Sequence, residues 1–254
     1  MIDLFDLSLF SLILVFIAII IAGFVHGSLG FGYPMTSVPL LALIIDLQTA
    51  IFITLIPTIV LNLVSIFSIG KIDKEVWKYW VLFLFIILGS IIGANLLIFL
   101  DADTFKLFLA GVIFFYLYTQ KRKLVIFSWV NQKQKLGKVF FGFVSGFTSG
   151  TISVMVPVII IYAFEVGLVG SAIMVQVMNI AFLLGKGMQF IVFALNDIIT
   201  YKFLLQSIPI TLASLVPLFI GMRVRDKIDE ENYKNIVKKI LFILAILMSI
   251  QYFI

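Results

Sequence analysis

Residues 23–43 read GFVHGSLGFGYPMTSVPLLAL, a stretch in which an apolar helix is interrupted. Three glycines and a proline fall within the eight residues 27–34, and Thr36, Ser37 and Pro39 follow closely. A glycine in a helix interior costs about 1 kcal/mol and a proline about 3, so helix should stop and restart here. The interruption lies in apolar surroundings, because residues 7–32 contain no Asp, Glu, Lys or Arg. A run of that kind is long enough for a bilayer core of about 30 Å, which takes roughly 20 residues. Non-helical backbone at membrane depth is tolerated only where protein buries it or where it lines a cavity.

A second stretch echoes the first. Residues 142–161 read GFVSGFTSGTISVMVPVIII; both stretches open on Gly-Phe-Val, continue in small residues and reach Val-Pro, at Pro39 and Pro157. Further along, GANLLIFLDADTF (93–105) resembles GMRVRDKIDEENY (221–233), with Gly93 against Gly221 and Asp101 against Asp229. Three landmarks in one order predict a duplicated unit of about four helices. The expected division is a first transmembrane repeat at 1–120, a basic connecting loop at 121–138 and a second repeat at 139–254. That loop holds Lys121, Arg122, Lys123, Lys133, Lys135 and Lys138.

The remaining apolar runs extend the pattern. Residues 47–70, 79–100, 107–120, 139–164, 166–185, 203–222 and 240–254 are also free of charge. The short runs at 107–120 and 240–254 gain a turn where flanking lysines snorkel to the headgroups. The chain is 63% hydrophobic and 12% charged, against about 45–50% and 25% in soluble domains. Lipid offers backbone groups no partner, so such runs form helices; no period-2 alternation supports a barrel. The expected fold is an all-α membrane protein of about eight transmembrane helices in two homologous four-helix repeats, with a broken helix near the start of each. Its expected place is the cell (inner or plasma) membrane, multi-pass. Asp3 and Asp6 precede the first run without any Lys or Arg, so no cleaved signal is expected and that run is retained. Lys and Arg number ten in connections after even-numbered helices and seven after odd-numbered ones, which leans both termini toward the cytoplasm.

Composition also narrows function. The longest polar connections, 121–138 and 223–239, are too short to bury a core, which argues against catalysis on macromolecules in water. The net charge of +5 is strung over short loops, as topology signals and headgroup contacts would be; nucleic acid is not an expected partner. With no cysteine and one histidine, neither a disulfide nor a metal site is expected, and no cofactor is called for. Expected partners are a small anionic substrate and membrane lipids, with a homodimer as the assembly considered.

The breaks suggest the sign of the substrate. A helix restarting after a break turns free N–H groups and a positive dipole end into the cavity. Neither break carries a carboxylate, and Ser28, Thr36, Ser37, Thr148, Ser149, Thr151 and Ser153 add hydroxyls. With Gly30, Gly32 and Tyr33 these are the expected lining of a small-anion site. Gly23 and Gly27, and likewise Gly142 and Gly146, have the four-residue spacing of helix packing and are assigned to it. Lys186 is the one charge between residues 166 and 196. It reads either as a counter-charge for the anion or as a lysine snorkelling to the headgroups. Gln176, Asn179, Lys186 and Gln189 read as a polar stripe lining the cavity, or as interhelical hydrogen bonding. Asn62 shares a segment with Pro57 and reads as an inward amide or as polar packing. His26, just before the first break, reads as a carrier of a coupled proton or as a packed, hydrogen-bonded residue. Trp77, Trp80 and Trp129 read as interface anchors.

On the run Gly23-x-x-x-Gly27-x-x-Gly30 leading to Pro39-Leu40, with its variant GFTSGTISVMVPVIIIY in the second half, the sequence resembles the TauE/SafE family of sulfite exporter-like permeases. The resemblance covers the whole chain, including the two four-helix halves and the basic central loop. Where many members have a glycine run, this chain has Tyr33-Pro34-Met35, and its second motif is poorer in glycine. The resemblance implies secondary transport, by label export, of sulfite, sulfonates or related small organic or sulfur anions. No catalytic residue is expected. No Walker-type phosphate loop is present, so the driving force would be the membrane potential or a proton gradient. An intramembrane hydrolase is the alternative from another class. It would need a serine and base within reach, and His26 and Ser28, two apart, do not face each other on a helix. A membrane assembly subunit without transport is the other, and it would have no use for paired breaks.

Overall fold

The computed structural model describes residues 7–100, 102–122, 127, 129–168 and 172–225, with 239, 242, 245, 246 and 249. Among the described residues all regular structure is helical: α1 (Leu9–Leu29), α2 (Tyr33–Ala42), α3 (Leu47–Ile69), α4 (Trp80–Phe99), α5 (Ala102–Arg122), α6 (Trp129–Gln132), α7 (Gln134–Ile152), α8 (Val156–Glu165), α9 (Ala172–Leu195) and α10 (Tyr201–Val224). A 3₁₀ segment, Lys74–Tyr79, leads into α4. Helix starts are set by side chains accepting orphan backbone N–H groups. Ser8 accepts from Ser11, Asp46 from Thr49 and Thr200 from Phe203.

Among the described residues five helical stretches are long and apolar enough to cross a membrane: Leu9–Leu29, Leu47–Ile69, Lys74–Phe99, Ile173–Leu195 and Tyr201–Val224. Polarity is reversed relative to a protein in water. Outside, α4 exposes Leu84, Leu88 and Ile92, and α10 exposes Ile208, Leu212, Val216 and Phe219, each a stripe at helical spacing. Inside, Thr54, Thr58, Asn62, Ser65, Asn179, Lys186 and Gln189 are all nearly inaccessible. An apolar exterior around a polar interior is stable only where lipid is the outer solvent.

The 139–164 run is not one helix. It divides into α7 and α8 at a turn where Ser153 takes a left-handed conformation (φ 61°). The first stretch divides in the same way into α1 and α2. At ten residues each, α2 and α8 extend about 15 Å, half a bilayer core. Much of the 121–138 segment is helical rather than loop, since α5 runs to Arg122 and α7 starts at Gln134. Lysine stems that reach the headgroups let a helix continue beyond its apolar run. Of the expected crossing at 240–254 only residues 242, 245, 246 and 249 are described, each of them helical; the landmarks Asp229 and Tyr233 lie outside the described residues.

Two glycine seams set the packing. Helix α1 lies along α10 and α7 along α4, the two most extensive helix pairs. A Cβ built on Gly23 would stand 2.5 Å from the Ser214 carbonyl oxygen, and one on Gly142 2.6 Å from that of Leu82; Gly27 and Gly146 meet Leu218 and Ile86 still more tightly. These four are packing glycines. Helices α3 and α9 pass through the centre against each other, joined by the edge-to-face pair Phe52–Phe193 at 4.7 Å.

Candidate functional site

At the first break the backbone turns on two glycines in the left-handed region, Gly30 (φ 84°) and Gly32 (φ 100°), a conformation costly for any residue with a Cβ. The Gly30 N–H donates to the His26 carbonyl (2.7 Å), closing α1. His26 then bridges the break. Its Nδ1 accepts the Tyr33 N–H (3.2 Å), capping α2, and its Nε2 meets Ser65 Oγ on α3 (2.9 Å). With Nδ1 accepting, Nε2 carries the hydrogen, so both nitrogens of a neutral ring are engaged. The Ser214 hydroxyl donates to the Ile210 carbonyl, which leaves its oxygen to accept from Tyr33 OH (2.8 Å).

The carbonyl end of α1 is held by groups from elsewhere in the chain. Arg225 donates through Nε (3.2 Å) and Nη2 (2.8 Å) to the Gly27 carbonyl, and Asn179 Nδ2 donates to the Gly30 carbonyl (2.8 Å). The second break has the same plan. Lys186 donates from Nζ to the Ser149 carbonyl (3.2 Å), Ser153 Oγ (2.6 Å) and Gln189 Oε1 (2.6 Å). Gln189 Nε2 in turn donates to the Gly150 carbonyl (2.9 Å). Each break thus receives a cationic side chain and an amide at its C-terminal carbonyls, where the helix dipole is negative.

Helix α9 therefore carries the expected stripe to both breaks. Asn179 serves the first, and Lys186 with Gln189 the second, seven residues or about 10 Å further along the helix. Lys186 is 1% exposed and its ammonium points at α7, inside the protein, rather than toward headgroups. Gln176 stands apart: it accepts from the Asp73 N–H (3.0 Å) and donates to the Lys71 carbonyl (3.1 Å), clamping the connection after α3.

Most of the expected hydroxyl donors are spent on their own helices. Ser28 donates to Phe24, Thr36 to Gly32, Ser37 to Tyr33, Thr148 to Ser145 and Thr151 to Phe147, each to a carbonyl three or four residues back. The exceptions are instructive. Ser145 Oγ, Ser149 Oγ, Asn62 Oδ1 and Asn179 Oδ1 are buried with no protein partner, although buried polar atoms are nearly always bonded. Gly32 is itself buried, yet a Cβ built on it meets nothing within 4 Å. Space the width of a methyl group therefore lies against the first break, within the protein.

Arg225, Ser65 and Ser214 are not among the residues expected from the sequence. Ser65 has a signal: Thr54, Thr58, Asn62 and Ser65 fall at helical spacing on one face of α3. Arg225 has none, because it stands in a charged connection and reaches Gly27 only through the α1–α10 pairing.

Chemically, the two breaks offer a buried ammonium, a guanidinium and two uncommitted hydroxyls. Among the described residues the one ion pair is Lys78–Glu75 at the surface, so no described carboxylate pairs with the buried Lys186 or the part-buried Arg225. No group of His, Cys, Asp or Glu suited to a metal occurs among them. A family model described as sulfite exporter TauE/SafE matches residues 15–252, nearly the whole chain. No curated protein and no solved structure matches.

Proposed function

We propose, because this chain belongs to the sulfite exporter TauE/SafE family of membrane transporters, that it is a secondary transporter binding a small anion between the two breaks. The observation that carries this reading is the cation held at each of them, with no carboxylate against it among the described residues. A buried charge without a counter-charge is costly even when its N–H groups are bonded, and an anion arriving between buried Lys186 and part-buried Arg225 offsets that cost. The uncommitted hydroxyls of Ser145 and Ser149 supply donors at short range. The substrate class in this reading is sulfite, a sulfonate or a related small oxyanion, and the direction is export; the family description supports both. The family consists of transporters rather than enzymes.

The transporting unit is a duplicated four-helix repeat, 1–120 and 139–254 joined through 121–138, crossing the cell membrane about eight times. The crosswise seams support this, since a Cβ on Gly27 would lie 3.0 Å from Gly221 and one on Gly93 3.1 Å from Gly150. The glycine motif that opens each half thus meets the later glycine landmark of the other half. In such a design the breaks open to one side and then the other. The test is efflux from proteoliposomes loaded with sulfite, sulfoacetate or taurine. Saturable efflux that falls about tenfold in Lys186→Ala, worth about 1.4 kcal/mol of barrier, supports the reading. Equal rates in wild type, variant and protein-free vesicles remove it.

A further inference from the structure

The oxygens around Lys186 have the makings of a cation site in their own right. Three come from separate places: the Ser149 carbonyl at the end of α7, the Ser153 hydroxyl in the turn, and Gln189 Oε1 on α9. Gln189 is oriented by its own bond to the Gly150 carbonyl, so its oxygen and not its nitrogen faces the centre. Ser153 reaches the position because its backbone is left-handed, held by its N–H on the Ser149 carbonyl (3.1 Å). An ammonium has three N–H donors, and here all three end on oxygen. Hard monovalent cations are taken by such clusters, and the C-terminal ends of half-helices in transporters are one place they occur.

We infer that this cluster is a monovalent-cation site permanently filled by the chain's own Lys186 ammonium, so that the second break needs no sodium ion to hold its shape. The first break follows the same logic with a guanidinium, since Arg225 sits on the Gly27 carbonyl where a free cation would otherwise be drawn. A tethered cation differs from a bound one in a consequential way. It cannot be released to either side, so sodium is neither bound here nor carried with the substrate through this site.

The experiment is thermal unfolding of the detergent-purified chain in sodium, potassium or choline chloride at equal concentration. Wild type should unfold at the same temperature in all three. Lys186→Ala should unfold lower in choline and recover progressively with added sodium, and with n-propylammonium, which replaces the atoms removed. Recovery should rise with the logarithm of cation concentration, as binding to the folded state alone requires. A variant insensitive to every cation would overturn the inference. So would wild type stabilised by sodium over choline, and that arm decides the matter even if Lys186→Ala does not fold. The readout is stability, so it stands or falls independently of which anion is transported.

Discussion

Gly30 and Gly32 separate two costs that usually arrive together. Both have positive φ, so alanine at either is strained by about 1–2 kcal/mol. Only at Gly30 does the new Cβ also meet a neighbour, Val175 Cγ1 at 2.9 Å. Gly30→Ala should therefore unfold at a lower temperature than Gly32→Ala, and equal losses would show that Val175 yields freely. His26 holds two bonds across the first break. His26→Ala strands the Tyr33 N–H and the Ser65 hydroxyl, at about 1–3 kcal/mol for each buried group left unpaired. His26→Asn keeps an acceptor near the position of Nδ1 and should cost less in the same thermal measurement. An imidazolium could not accept the Tyr33 N–H, so the geometry favours the bridging role of His26 over proton transfer. Transport by His26→Asn should keep the wild-type pH profile, and a flattened profile would restore the proton role. At this scale the sequence carried much. Lys186 is legible as a lone charge in an apolar stretch, and Gly30 and Gly32 as helix breakers. The partners are not legible, because periodicity assigns a residue to a face and says nothing of what faces it.

Helix pairs are where glycine is used for closeness rather than conformation. Gly146 of α7 lies against the backbone of Ile86 on α4, with no room for a Cβ. Gly146→Leu should force the seam apart and lose more than the 1–3 kcal/mol typical of overpacking; the check is the yield of folded protein after detergent extraction. Gly187, in the interior of α9, is the counter-case, since a Cβ there meets nothing within 4 Å. Gly187→Ala should raise stability by about 0.5–1 kcal/mol, the helix-interior difference between the two residues. A lowered unfolding temperature would mean that α9 bends at this point. The two interruptions, the seam glycines and the long apolar helices are all readable from composition and spacing. The partition of 139–164 into α7 and α8 is readable only as a weakness in the helix. The turn falls at Ser153, and serine is not a residue whose left-handed conformation the sequence would predict.

The molecule as a whole is organised around α3 and α9, whose polar faces are shielded from lipid by the helices about them. Composition announces a membrane protein, and the expected repeat suggests pairing, but the crosswise partnership of α1 with α10 and α7 with α4 is a property of three dimensions. So is the arrival of Arg225 at Gly27. In the proposed function this interior, with its cations fixed at the two breaks, receives an anion. The most direct measurement is thermal stability of the purified wild-type protein against a panel of sulfite, sulfate, thiosulfate, sulfoacetate, taurine, carboxylates and simple cations. A ligand that binds only the folded state raises the unfolding temperature in proportion to the logarithm of its excess over Kd. Stabilisation by a sulfur oxyanion or sulfonate, and none by sodium or potassium, is the expected result. Stabilisation by cations alone would contradict it.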